Sequence, residues 1–290
     1  MMKTSEIQIR DPFILVDGGK YYMYGTTDKN CWGDEAWGFD AYVSEDLENW
    51  DGPYQAFKNT ADFWATKNFW APEVYKIDGK YYMFASFFSK TRMRGTQILV
   101  SDNPLANFKP LTKYPVTPEN WMCLDGTLYI ENGEKYMVFC HEWTQACDGE
   151  ICLIKLSGDF TRAESEPVLL FKASDAKWVM GFKNGEGKMC YVTDGPFLHK
   201  CPDGTLLMLW SSHSDTGYAL GLAKSETGSV KGPWVLMDEP FYRENGGHGM
   251  IFRALDGKLY IAIHAPNNTP NERPHFIEIT DEGGTIKAVK

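Results

Sequence analysis

Three aspartates stand where apolar segments begin, each followed by Pro or Gly: Arg10-Asp11-Pro12-Phe13, Leu124-Asp125-Gly126-Thr127 and Thr193-Asp194-Gly195-Pro196. Two further segments of the same kind open on Trp70-Ala71-Pro72-Glu73 and Gly247-His248-Gly249-Met250. Taken singly, an Asp before Gly or Pro reads as readily as a turn residue that caps backbone N–H groups, and a lone His as a satisfied structural one. Taken together they need another explanation, because neighbouring carboxylates resist ionisation and are costly to desolvate. Acid/base chemistry supplies it. Glycosidic hydrolysis needs one carboxylic acid to protonate the leaving oxygen and one carboxylate to activate water or attack the anomeric carbon. A third carboxylate can hold the acid protonated by repulsion.

The elements that must gather these residues are repeats. Residues 10–26, 70–86, 124–139, 193–210 and 247–263 share one pattern: a polar, Pro or Gly start, an apolar strand, an Asp-Gly or Asn-Gly turn, and an alternating aromatic/aliphatic return. That is a β-hairpin with the turn chemistry hairpins favour. A third strand is predicted after each, over 38–44, 96–101, 151–156, 218–225 and 274–279, and an outer strand near 46–50 and 232–234. Five such units with no comparable helical pattern predict an all-β, five-bladed β-propeller forming one domain over residues 1–290. A β-sandwich gives no reason for five matching hairpins. In a propeller the first strands line the axis, so the alignment places Asp11, Asp125, Asp194 and His248 in one register around one mouth. Second strands return there with Thr26, Ser86, His141-Glu142-Trp143, Ser211-Ser212-His213 and His264.

Composition narrows the partners. A formal net charge of -10 disfavours nucleic acid and anionic membranes, which need clustered Lys and Arg. No apolar run approaches spanning length. The 10 Trp, 15 Tyr and 17 Phe suit inter-blade packing and, at the mouth, the flat apolar faces of sugars. The seven cysteines are odd in number, dispersed and set in apolar stretches such as 136–140, so reduced buried thiols and a cytoplasmic location are expected, with secretion left open. The Gly-x-Ser-x-Gly elbow, the phosphate-binding loop and the His-Glu-x-x-His helix are absent.

Arg10-Asp11-Pro12-Phe13, Trp70-Ala71-Pro72-Glu73-Val74, Gly247-His248-Gly249-Met250 and the stretch from Ser44 to Trp50 resemble glycoside hydrolase family 43 over nearly the whole chain. The resemblance implies inverting hydrolysis that removes arabinofuranosyl or xylosyl units from plant-polysaccharide oligosaccharides, with no required cofactor. It implies Asp11 as general base and Asp125 as the residue that orients the acid and raises its pKa. His248 matches an axial histidine that holds a water or a calcium ion in the channel, making it the one candidate metal ligand. Trp70 and Trp143 would border the sugar, and Arg273 would meet a substrate hydroxyl. The sequence departs from the family at the acid: members place Glu before Gly-Pro in blade four, and here Asp194 stands there. Asp194 by position and Glu142 by side-chain length are therefore both candidates. Loops 30–38 and 87–95 are expected to set specificity; oligomeric state is left open.

Two other functions fit a propeller of this kind. A retaining, fructan-cleaving propeller would carry Asn-Asp-Pro-Asn-Gly and a Glu-Cys pair, which are absent. A sugar-binding propeller without catalysis draws its support from the shortened acid, but has little use for a crowded acidic ring.

Overall fold

The computed structural model describes residues 1–33 and 35–289. Five antiparallel sheets follow one another along the chain, each running in sequence order from an inner to an outer strand. The inner strands are Arg10–Asp17, Lys67–Ile77, Cys123–Glu131, Asp194–Lys200 and Gly247–Arg253. The second strands are Lys20–Thr26, Lys80–Ser89, Glu134–His141, Leu206–Ser214 and Leu259–Ala265. The third are Gly38–Ser44, Arg92–Ser101, Glu150–Leu156, Gly217–Ser225 and Arg273–Thr280. Blade one gains an edge strand, Met2–Lys3, beside its outer strand Asn49–Lys58. Each inner strand packs against those of its two neighbours, and blade one touches both blade two and blade five, so the ring closes. The five-bladed propeller expected from the repeats is the fold.

Local chemistry explains the hairpins. Asp78-Gly79 and Asn132-Gly133 both hold φ near +50° and +80°, the two left-handed positions that let a two-residue turn follow the twist of its strands. Strands are buried on both faces because blades stack on one another, and the apolar clusters lie between adjacent blades. Most of the aromatic residues are spent there; Phe39 of blade one and Phe87 of blade two, for example, meet edge to face at 5.8 Å. The 87–95 segment, expected as a loop, is mostly strand, with the second strand running to Ser89 and the third starting at Arg92. All seven cysteines are free, and six are buried. Among the described residues no helix is long and apolar enough to cross a membrane.

One device recurs in every inner strand. Pairing steps from Arg10↔Thr26 to Phe13↔Tyr24, Trp70↔Ser86 to Glu73↔Phe84, Leu124↔Cys140 to Thr127↔Val138, Asp194↔Ser211 to Phe197↔Leu209, and Gly247↔His264 to Met250↔Ala262. Three residues advance against two each time, which is a β-bulge that bends the strand at the axial mouth. The second bulge residue is left-handed in all five: Asp11, Ala71, Asp125, Gly195 and His248, with φ of 54°, 45°, 54°, 49° and 52°. Four of these carry a Cβ, and such backbone costs about 1–3 kcal/mol where the surroundings do not enforce it.

The bulge corrects the expected register. Asp194 does not share the position of Asp11 and Asp125; it pairs with Ser211 as Arg10 pairs with Thr26, and Gly195 takes the left-handed place. A Cβ at Gly195 would come within 2.7 Å of the His248 ring, so the blade-four carboxylate has to project from the preceding residue. Likewise, the blade-three counterpart of Thr26, Ser86, Ser211 and His264 is Cys140, and Glu142 lies just past its strand as the residue before the short helix Trp143–Ala146.

Candidate active site

The five bulges surround a cavity of about 400 Å³ whose lining includes Arg10, Asp11, Trp70, Arg94, Asp125, Glu142, Trp143, Asp194, Tyr218 and His248. That volume falls in the range of small-ligand sites. Below it aromatic rings narrow the axis: Phe13 meets Tyr75 at 5.3 Å and Phe197 at 6.4 Å, and the Tyr75 hydroxyl donates to buried Glu73.

Asp11 is held as an anion. Burial alone would raise its pKa, but His248, first, and Arg10 outweigh it and hold the carboxyl well below the usual carboxylate range. Its Oδ1 lies 3.1 Å from His248 Nδ1, and its Oδ2 accepts the Thr26 hydroxyl at 2.7 Å. The Asp11 N–H donates to His264 Nδ1 at 3.1 Å, so that ring carries its proton on Nε2, facing Asn267 Oδ1 at 3.2 Å. Burial beside Arg10 keeps His264 neutral, its pKa lowered to about 3.

Asp125 and Asp194 form a second kind of pair. Burial pushes Asp125 up to about 7 against the pull of His248, with the charges of Asp194 and Asp11 adding to the rise. Burial also raises Asp194, while His248 and the Tyr218 hydroxyl, which donates to its Oδ2 at 3.0 Å, oppose the rise. Asp125 Oδ2 accepts the N–H of Gly195, the residue after Asp194, at 3.0 Å. Two adjoining buried carboxyls of this kind keep one proton between them past the ordinary carboxylate range. His248 offsets the remaining charge. Burial lowers its pKa, but Asp11 and Asp125 lift it to about 10, so the ring is an imidazolium at neutral pH, with Nδ1 3.8 Å from Asp125 Oδ2.

Glu142 sits at the same mouth with a different partner. Its buried carboxylate pairs with Arg94, whose guanidinium also donates to Asn68 Oδ1 at 3.1 Å and lies 4.2 Å above the Trp70 ring. Trp70 donates its Nε1–H to the Cys31 carbonyl at 2.8 Å and meets Trp32 edge to face at 5.3 Å. Trp143 packs on Phe182 at 4.9 Å across the opening. Trp32 and Arg94 fall in the 30–38 and 87–95 segments expected to set specificity, whereas Phe182, Tyr218 and Asn267, from a third strand and connections, and Asn68, at the start of an inner strand, carry no motif and escaped sequence reasoning as lining residues.

The structure moves two expected residues out of their roles. Arg273 does not line the cavity; its guanidinium donates to the carbonyls of Ser5 at 2.9 Å, Glu272 at 2.7 Å and Pro270 at 3.1 Å, tying blade five to the N-terminal segment. His248 is engaged by two carboxylates, and calcium takes six to eight oxygen ligands, so this donor set does not match a calcium cage. Among the described residues the grouping of three metal-type ligands is His199, Cys201 and Asp281, at the far end of the inner strand, where His199 and Asp281 already share a 2.9 Å hydrogen bond.

Comparison with known proteins agrees with this geometry. A structure described as endo-arabinase from Bacteroides thetaiotaomicron is 41% identical, with a TM-score of 0.91 over 98% of this chain and 99% of that one. A curated extracellular exo-α-(1→5)-L-arabinofuranosidase of Streptomyces avermitilis is 22% identical over 72% of this chain, and α-L-arabinofuranosidase 43 of Humicola insolens is 24% identical over 70%. The chain spans about half the length of these curated relatives, 47% and 46%. The model for glycosyl hydrolases family 43 matches residues 4–281, and the chain belongs to that family.

Proposed function

We propose that the chain hydrolyses arabinofuranosyl linkages of arabinan-type oligosaccharides, with xylosyl units as the second substrate class, and inverts the anomeric centre as is general in the family. The observation that carries this is three buried carboxyls in different settings at one cavity floor: Asp11 with Oδ1 3.1 Å from His248 Nδ1, Asp125 accepting the Gly195 N–H at 3.0 Å, and Asp194 accepting the Tyr218 hydroxyl at 3.0 Å. Asp11 takes a proton from the water that attacks the anomeric carbon. Asp194 delivers its proton to the leaving oxygen, oriented by Tyr218 and kept protonated by burial next to Asp125. Glu142, matched to a guanidinium, is better suited to holding Arg94 over Trp70 than to donating a proton. Trp32, Trp70 and Trp143 supply sugar-facing surface. The arabinose preference draws on the 41% identical endo-arabinase; buried free thiols favour a reducing compartment.

The competing reading, a sugar-binding propeller, rests on the shorter acid. One experiment separates them. Native protein should release product from arabino-oligosaccharides, with the inverted anomer seen first by proton NMR, and Asp11→Asn should lose at least about a hundredfold in kcat with its Tm retained. Binding without turnover, or near-native turnover in Asp11→Asn, would overturn the proposal.

A further inference from the structure

The left-handed residue of each bulge points its N–H toward the preceding blade. In four blades a side chain ending the neighbour's second strand receives it: Asp11 N–H by His264 Nδ1 at 3.1 Å, Ala71 by Thr26 Oγ1 at 2.9 Å, Asp125 by Ser86 Oγ at 2.8 Å, and His248 by Ser211 Oγ at 2.8 Å. Blade three breaks the pattern. Its residue at this position is Cys140, fully buried, and sulfur is a weak acceptor. The Gly195 N–H goes instead to Asp125 Oδ2 at 3.0 Å.

We propose that Cys140 is a positioning residue: by withholding an oxygen where the other blades supply a strong acceptor, it hands the Gly195 N–H to Asp125 and so decides that Asp194, not Asp125, keeps the shared proton. This rests on the reading of Asp194 as acid. Both carboxyls are buried and both feel the charge of His248. Asp11 and His248 face both, His213 and Tyr218 face Asp194, and Cys140 and Thr193 are neutral neighbours. The difference lies in the donors. A phenol can turn and accept, so Tyr218 serves Asp194 in either protonation state, whereas an N–H only donates and favours the charged form of Asp125.

The test is Cys140→Ser, with Cys140→Thr as a second variant because blade one carries Thr26 at this place, and Cys140→Ala as the oxygen-free control. With an oxygen restored, Gly195 N–H turns to residue 140 and the proton shifts toward Asp125. On an unactivated arabino-oligosaccharide, kcat should fall roughly tenfold with little change in KM, and the alkaline limb should move down by about one pH unit. Turnover of an activated aryl glycoside should hold. Cys140→Ala should keep the native pH profile. Ser and Thr profiles that match Ala would overturn the inference. That failure is distinct from failure of the site reading, which would show as near-native turnover in Asp11→Asn.

Discussion

His248 binds the carboxyl groups into one unit, and its charge state carries a consequence for stability. Its pKa is lifted to about 10 from an ordinary 6.5, so its contribution is complete below about pH 6.5 and is lost as pH rises toward about 10. The coupled Asp125/Asp194 pair, both carboxyls raised by burial, adds a loss that starts lower, from about pH 4 upward, as the pair gives up its proton. Asp11 acts in the opposite sense, with stability present above about pH 4 and lost below it as the carboxyl protonates. Thermal melts should therefore show stability falling from about pH 4 upward, by up to about 1.4 kcal/mol per unit for each group, and His248→Gln should flatten the part of the slope above about pH 6.5 while lowering stability at pH 6. A His248→Gln curve parallel to the native one would mean that the ring is neutral in the fold.

The bulged inner strand is the element that turns a repeat into a site. It aims residues at the axis, but its geometry also decides which position can hold a side chain. Gly195 is where the His248 ring passes, so Gly195→Ala should displace His248 from Asp11 and Asp125. A drop in kcat of at least about a hundredfold, with the propeller still folded by circular dichroism, is expected. An active Gly195→Ala chain would contradict the placement of His248. The sequence made the five hairpins legible because Asp-Gly and Asn-Gly turns and alternating strands recur at matching places. It made Asp11, Asp125 and His248 legible because each sits second in its bulge. Asp194 was found but misregistered: aligning Pro196-Phe197 with Pro12-Phe13 would have put it opposite Arg10. Trp32 and Arg94 were legible only as members of the 30–38 and 87–95 segments, and Tyr218 and Phe182 not at all, because no spacing rule links a third strand or a connection to the axis. Arg273 was misread, since polarity near the mouth does not say which way a guanidinium is drawn.

Across the whole molecule, each blade is completed within one stretch of chain, so the ring is closed by side chains rather than by a shared strand. Arg10 and Glu272 form the main clasp at 2.8 Å, with Glu272 fully buried, and Arg273 adds its grip on Ser5. Closure and catalysis share a residue neighbourhood, because Arg10 adjoins Asp11 and lines the cavity. Glu272→Ala should cost about 3–5 kcal/mol by leaving a buried guanidinium unpaired, and should lower kcat as well. Loss of stability with native kcat would separate the clasp from the site.

The assignment of Asp194 as the general acid is where this chain differs from its family, and leaving-group dependence tests it. Asp194→Ala and Glu142→Ala should be compared on an arabino-oligosaccharide and on a dinitrophenyl glycoside, whose leaving group needs no proton. Asp194→Ala should lose most activity on the first, keep much of it on the second, and lose the alkaline limb of the pH profile. Glu142→Ala should harm both substrates alike. The reverse pattern, with Glu142→Ala alone showing leaving-group dependence, would contradict the assignment and place the acid in blade three.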